Sequence, residues 1–105
     1  MKARLLNFKL SDASARRLIA DIASKSGNVI YTKHAIKQMR SRKILPTQVL
    51  QCIKNGRITE SPYLDPYGNW KLTIERYYAG DSVGCAIAVN INMHKVIVIT
   101  SFKVN

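Results

Sequence analysis

Apolar residues recur at helical spacing in the first half of this chain and at every second position in the second half. Ala15, Leu18, Ile19, Ile22 and Ala23 share one helical face, Ser11 stands where an N-cap belongs, and Gly27 ends the run, which predicts a first helix. Asn28 to Tyr31 reads as a short extended link. Thr32 can then cap a second helix running to about Arg42, with Ala35, Ile36 and Met39 as its buried stripe. Pro46 suits the first turn of a third helix that turns Val49, Leu50 and Ile53 inward and stops at Asn55-Gly56.

Beyond Gly56 the period becomes two. Arg57 to Ser61 predicts a short strand ending before Pro62, and Pro62 to Gly68 a loop. Trp70, Leu72, Ile74 and Tyr78 alternate with Lys71, Thr73, Glu75 and Tyr77, the pattern of a half-buried strand whose inward row is interrupted at Arg76. Ala79 to Ser82 turns the chain. Val83, Cys85, Ile87, Val89 and Ile91 then form one row, and Gly84, Ala86 and Ala88 the other, small enough for a helix or a substrate to come close to the sheet. A second turn, Asn92 to Lys95, leads into Val96 to Phe102, apolar on both faces as a central strand should be. The expectation is an α+β domain, N-terminal helices packed on a three- to four-stranded antiparallel sheet. It would comprise an N-terminal extension and helix (1–27), a helical pair (28–56) and a meander (57–105).

Charge sharpens this picture. The 105 residues hold 17 Lys and Arg against 6 Asp and Glu, a net charge of +11. Between Ile22 and Thr59 stand eight Lys or Arg and no acid, so the positive potential should peak on the surface formed by the helical pair. A polyanion is the expected partner: nucleic acid, an acidic protein or an anionic membrane surface. The apolar run near Met1 stops after Leu5-Leu6, too short for a secretion signal, and no segment is long enough to span a bilayer. Cys52 and Cys85, far apart and set among apolar residues, fit buried reduced thiols. A cytoplasmic location is expected.

Candidate chemistry centres on the second helix. His34, Gln38 and Arg42, spaced by four, stack along one flank beside the buried stripe, while Lys33, Lys37 and Arg40 face away from the core and Lys43 follows. Cations without local acids favour phosphate over internal salt bridges. His34 as an ordinary surface side chain, and Arg42 as a partner of the helix dipole, remain open readings. Two histidines and two cysteines lack metal-ligand spacing, the six acids are scattered, and neither a glycine-rich phosphate loop nor a serine hydrolase signature is present. No metal and no small-molecule cofactor are expected.

The stretch His34-Ala35, Gln38-Met39, Arg42 and Ile44, with Asn55-Gly56 and a late Val98-Ile99-Thr100, resembles a family of small, mostly bacterial domains known as domain of unknown function 4258. The resemblance covers roughly residues 30 to 102. That family often has Arg before the Met, where this chain has Gln38. It is similar to the RelE-like toxins, whose fold is shared with barnase, EndoU and colicin nucleases. The resemblance implies a metal-independent endoribonuclease of toxin-antitoxin type, with RNA as substrate and an acidic antitoxin protein as partner. In that reading His34 is the base, Arg42 and Arg76 are cations on the developing phosphorane charge, and Tyr78 and Thr100 donate hydrogen bonds. Lys33, Lys37, Gln38, Arg40, Lys43 and Lys71 would hold the nucleic acid. A basic module that binds nucleic acid without cutting it, and a protein-interaction domain, are the alternatives.

Overall fold

The computed structural model describes residues 9–78 and 80–104. Helix α1 spans Asp12–Ala23, with the Ser11 hydroxyl accepting from the Ser14 amide (3.1 Å) as an N-cap. After a single 3-10 turn at Ser26–Asn28 comes β1, Val29–Tyr31. Helix α2, Lys33–Ser41, is capped by the Thr32 hydroxyl, which accepts from the Ala35 amide (3.0 Å). Helix α3, Pro46–Asn55, has proline in its first turn. Strands β2 (Arg57–Leu64), β3 (Trp70–Arg76), β4 (Ser82–Asn90) and β5 (Lys95–Val104) complete the chain.

The strands form one sheet in the order β1-β5-β4-β3-β2. The β2 to β5 meander is antiparallel, and β1 joins β5 in parallel through Val29↔Val96 to Tyr31↔Val98. The sheet is therefore five-stranded and mixed rather than three- to four-stranded and antiparallel. The difference lies in Asn28 to Tyr31: a three-residue strand is too short to show a period of two, and only the exposed edge of β5 makes it one. Strand β2 also runs on through Pro62, because an edge strand needs no N–H there and β2 is the outermost strand.

The helices cover one face. Leu72, Ile74, Cys85, Ile87, Val89, Val96 and Val98 are buried there with Ala15, Ile19, Ile22, Val49, Cys52 and Ile53. Cys52 reaches down from α3 to put its Sγ 3.9 Å from that of Cys85, both cysteines unoxidised. The Cys52 hydrogen bond and burial together push the Cys85 thiol well up. Three expectations of burial fail: Tyr78 lies beyond the end of β3 and is exposed, Ile91 is exposed in the β4–β5 turn, and Ile36 is 39% exposed on the side of α2 away from β5. The small row meets no helix among the described residues. Register puts Gly84, Ala86 and Ala88 beside Phe102, Thr100 and Ile97 on the opposite face, and the Phe102 ring lies directly over Gly84.

Candidate nucleic-acid interface

Helix α2 lies against β5, and a shortage of strand puts it there. Strand β1 pairs β5 only as far as Val98, leaving the outer edge of β5 open beyond that point. Side chains at the start and along one flank of α2 take up the unpaired groups. The Thr32 hydroxyl donates to the Ile99 carbonyl (3.2 Å), the Gln38 Oε1 accepts from the Ser101 amide (3.2 Å), and the Arg42 guanidinium donates to the Ser101 carbonyl (2.7 Å). Thr32 also gives its own amide to the Val98 carbonyl (3.1 Å). The helix thus continues the ladder that β1 abandons. A register shift in β5 between its pairings with Ala86 and Ile87 accompanies the handover.

This arrangement gives Arg42 a fixed seat and an exposed surface. One guanidinium nitrogen is anchored on Ser101; no other hydrogen bond holds the group among the described residues, and the residue is exposed. His34 is exposed one turn before Gln38 on the same flank. No hydrogen bond or ion pair engages it among the described residues. Lys33, Lys37 and Arg40 are exposed on the outer side of α2. Lys43 follows with φ 56, left-handed for a side-chain-bearing residue, while the Ile44 amide closes the helix on the Met39 carbonyl (2.8 Å).

The acids lie elsewhere. Asp21 meets His94 at 3.6 Å and Asp81 pairs with Lys103 at 3.0 Å, and both contacts are off α2. Glu60 and Glu75 occupy the β2–β3 region, accepting from Thr73 (2.7 Å) and from Thr59 (3.2 Å) and Tyr77 (2.6 Å). Asp65 is buried in the β2–β3 turn, taking the Tyr67 and Asn69 amides. Asp12 sits in the first turn of α1. The acid-free stretch of sequence remains, in three dimensions, a basic helix without ion-pair partners among the described residues.

Arg76 and Tyr78 stand apart from this flank. Together with Thr47, Gln48, Gln51, Asp81 and Val83 they line a cleft of about 340 Å³ between the start of α3 and the end of β3. The Arg76 guanidinium lies 4.6 Å from the Tyr78 ring centre and 3.4 Å from the Gln51 Oε1. In the cleft wall, Lys103 holds the Asp81 carboxyl below the usual carboxylate range, with Gln48 as a further donor. Register pairs Arg76 with Val83 and Val83 with Lys103, so β4 and β5, roughly 10 Å of sheet, separate Arg76 from the edge that Arg42 occupies. Thr100 and Lys71 pair with Ala86 and Ala88 on the helix-free face.

The fold therefore brings together His34, Gln38 and Arg42 on one flank and Arg76 with Tyr78 in a separate cleft. Sequence reasoning misses Ser101, whose two backbone groups organise the flank. Its partners are 63 and 59 residues away, and no local signal marks it. Among the described residues no group of three or more His, Cys, Asp or Glu could hold a metal ion.

The chain matches the family described as Domain of unknown function (DUF4258) over residues 31–102. It belongs to that family. The matched span opens at the end of β1 and closes in β5, so it contains α2, α3, β2 to β4 and most of β5 with the Ser101 anchor, while α1 precedes it. No curated protein and no solved structure matches the chain. In this DUF4258 domain no helix among the described residues is long and apolar enough to cross a membrane.

Proposed function

We propose that this domain binds RNA along the outer face of α2 in the cytoplasm and cleaves it without a metal, as a RelE-like toxin does: the ribose 2′-oxygen bonds to the adjacent phosphorus as its proton passes to His34, the P–O5′ bond breaks, and the leaving 5′-oxygen takes up a proton from the imidazolium or water. The observation that carries the reading is the anchored, exposed Arg42 on the same flank as an exposed His34, on a helix with no acid. A guanidinium held by one nitrogen keeps its other N–H groups for phosphate oxygens, and its preorganisation spares the ordering cost when charge develops. His34 is the imidazole on that flank and serves as the general base. Lys33, Lys37, Arg40 and Lys43 supply the sequence-independent attraction to the phosphate backbone. Arg76 and Tyr78, a strand's breadth or more away, serve a neighbouring nucleotide rather than the scissile phosphate. An acidic antitoxin protein is the proposed regulator.

A second reading, binding without cleavage, is favoured by one feature: among the described residues His34 has no partner to orient it, whereas a general base is commonly held by a third group. Incubating the protein with a mixed-sequence RNA in excess chelator separates the two. Fragments ending in 2′,3′-cyclic phosphate are expected; tight binding with intact RNA would establish the binding module instead.

A further inference from the structure

The side of α2 opposite the His34 flank forms a groove whose apolar side chains neither reading uses. Ile36, Met39 and Arg40 of α2, Tyr31 of β1, the linker Lys43-Ile44-Leu45 and Pro46 at the start of α3 line about 650 Å³, within the usual size of a binding site. Ile36 is 39% and Leu45 61% exposed, large apolar side chains that a solvated surface has no reason to place side by side. Arg40 and Lys43 stand on its rim, and a shallower depression lined by Lys33, Ile36, Lys37 and Arg40 continues it along the helix. Among the described residues no acid lines either hollow.

We propose that this groove docks a segment of an acidic protein, one that presents apolar side chains to Ile36, Met39 and Leu45 and carboxylates to Lys33, Lys37, Arg40 and Lys43. Charge selects this occupant. A second copy of the chain, at a net charge of +11, would bring cations against cations, and the chain's own Met1 to Phe8, with Lys2 and Arg4 and no acid, offers the same mismatch. Length selects a polypeptide over a small anion, since the helical cations from Lys33 to Arg40 extend over about 10 Å of rise and Lys43 lies beyond the helix end. Apolar contact in the centre with charge pairs at the rim is the usual division of labour in such interfaces, the first giving affinity and the second steering and register. The inference deepens the proposal of an acidic protein regulator by giving it a surface, and it does not depend on RNA binding or cleavage. Lys33, Lys37, Arg40 and Lys43 belong to both the RNA face and the groove with its continuation, so an occupied groove would compete with RNA for the basic row.

The test pans a random peptide display library on the folded protein, then measures selected peptides by fluorescence anisotropy against wild type, Ile36→Glu, Leu45→Glu and Arg40→Glu/Lys43→Glu. Folding is checked by circular dichroism and melting. Selected peptides should be rich in acids with interspersed apolar residues, and each folded variant should bind them at least tenfold more weakly. A scrambled peptide of equal charge separates docking from bulk attraction and should also bind at least tenfold more weakly. Ile36 and Leu45 are already exposed, so the charged variants should fold; if one does not, Leu45→Ser replaces it. Selected peptides without acidic bias, equal binding of the scrambled control, or unchanged binding by folded Leu45→Glu would each overturn the proposal.

Discussion

Removing charge from α2 tests the interface quantitatively. Lys33, Lys37 and Arg40 are exposed and make no hydrogen bond or ion pair among the described residues, so Lys33→Gln/Lys37→Gln/Arg40→Gln should fold normally. Lys33, Lys37 and Arg40 span about 10 Å of helical rise, enough to meet about three phosphates at roughly 3.4 Å per nucleotide of a stacked strand, and Arg42 and Lys43 add about two more. About five contacts on single-stranded RNA give a slope of about −3.5 in log affinity against log salt, and the two that remain about −1.4. Raising salt from about 50 to about 200 mM should then weaken wild type about 130-fold and the triple variant only about sevenfold. Fluorescence anisotropy with a labelled single-stranded RNA across that range reads both slopes. A folded variant with the wild-type slope would move the nucleic acid to another surface.

Other substitutions test the scaffold around this face. Gly56→Ala would press a Cβ into the Cys52 carbonyl oxygen and put it 2.8 Å from that of Glu75, both backbone atoms that cannot swing aside. A loss of about 2–3 kcal/mol is expected, read as a fall of about 10 °C or more in Tm, and an unchanged Tm would refute the close approach of α3 to β3. Lys43→Gly should relieve the left-handed backbone and stabilise by about 0.5–1 kcal/mol in urea melts while weakening RNA binding, and a destabilised variant would contradict the strain. The Asp81 carboxyl, held low by Lys103, contributes stability above the ordinary carboxylate pKa that is lost as pH falls through its lowered value. The gap in stability between wild type and Asp81→Asn should therefore narrow below about pH 4, and a constant gap would show that the ion pair does not influence folding.

The helices were legible because their signals are local. Ser11, Thr32 and Pro46 stand where they were expected, and Ala35, Met39, Val49 and Ile53 fall inward at helical spacing. The alternation of β3 and β4 was equally plain, up to the point where β3 ends at Arg76 and Tyr78 leaves the inward row. What could not be read depends on the open edge of β5. Val29–Tyr31 becomes a strand only because that edge is there to receive it, and Gln38 and Arg42 are fixed only because β1 ends before Ser101. The spacing of His34, Gln38 and Arg42 could be counted along the chain, but the backbone that anchors two of them lies about sixty residues on. Ile36 reads as core by periodicity and is instead the floor of a groove, because α2 is covered by β5 on one side only.

The most direct test of the proposed cleavage is the single-turnover rate on a short RNA in excess chelator, measured for wild type, His34→Ala, Arg42→Ala and Arg42→Lys, each shown to be folded. If His34 is the base, its loss should slow cleavage by about 100- to 10,000-fold with RNA affinity nearly unchanged. Arg42→Lys should recover only part of the Arg42→Ala loss, since a point charge cannot both hold the Ser101 carbonyl and present a planar fork to phosphate. Wild-type rates in folded His34→Ala, or intact RNA with wild type itself, would contradict the account.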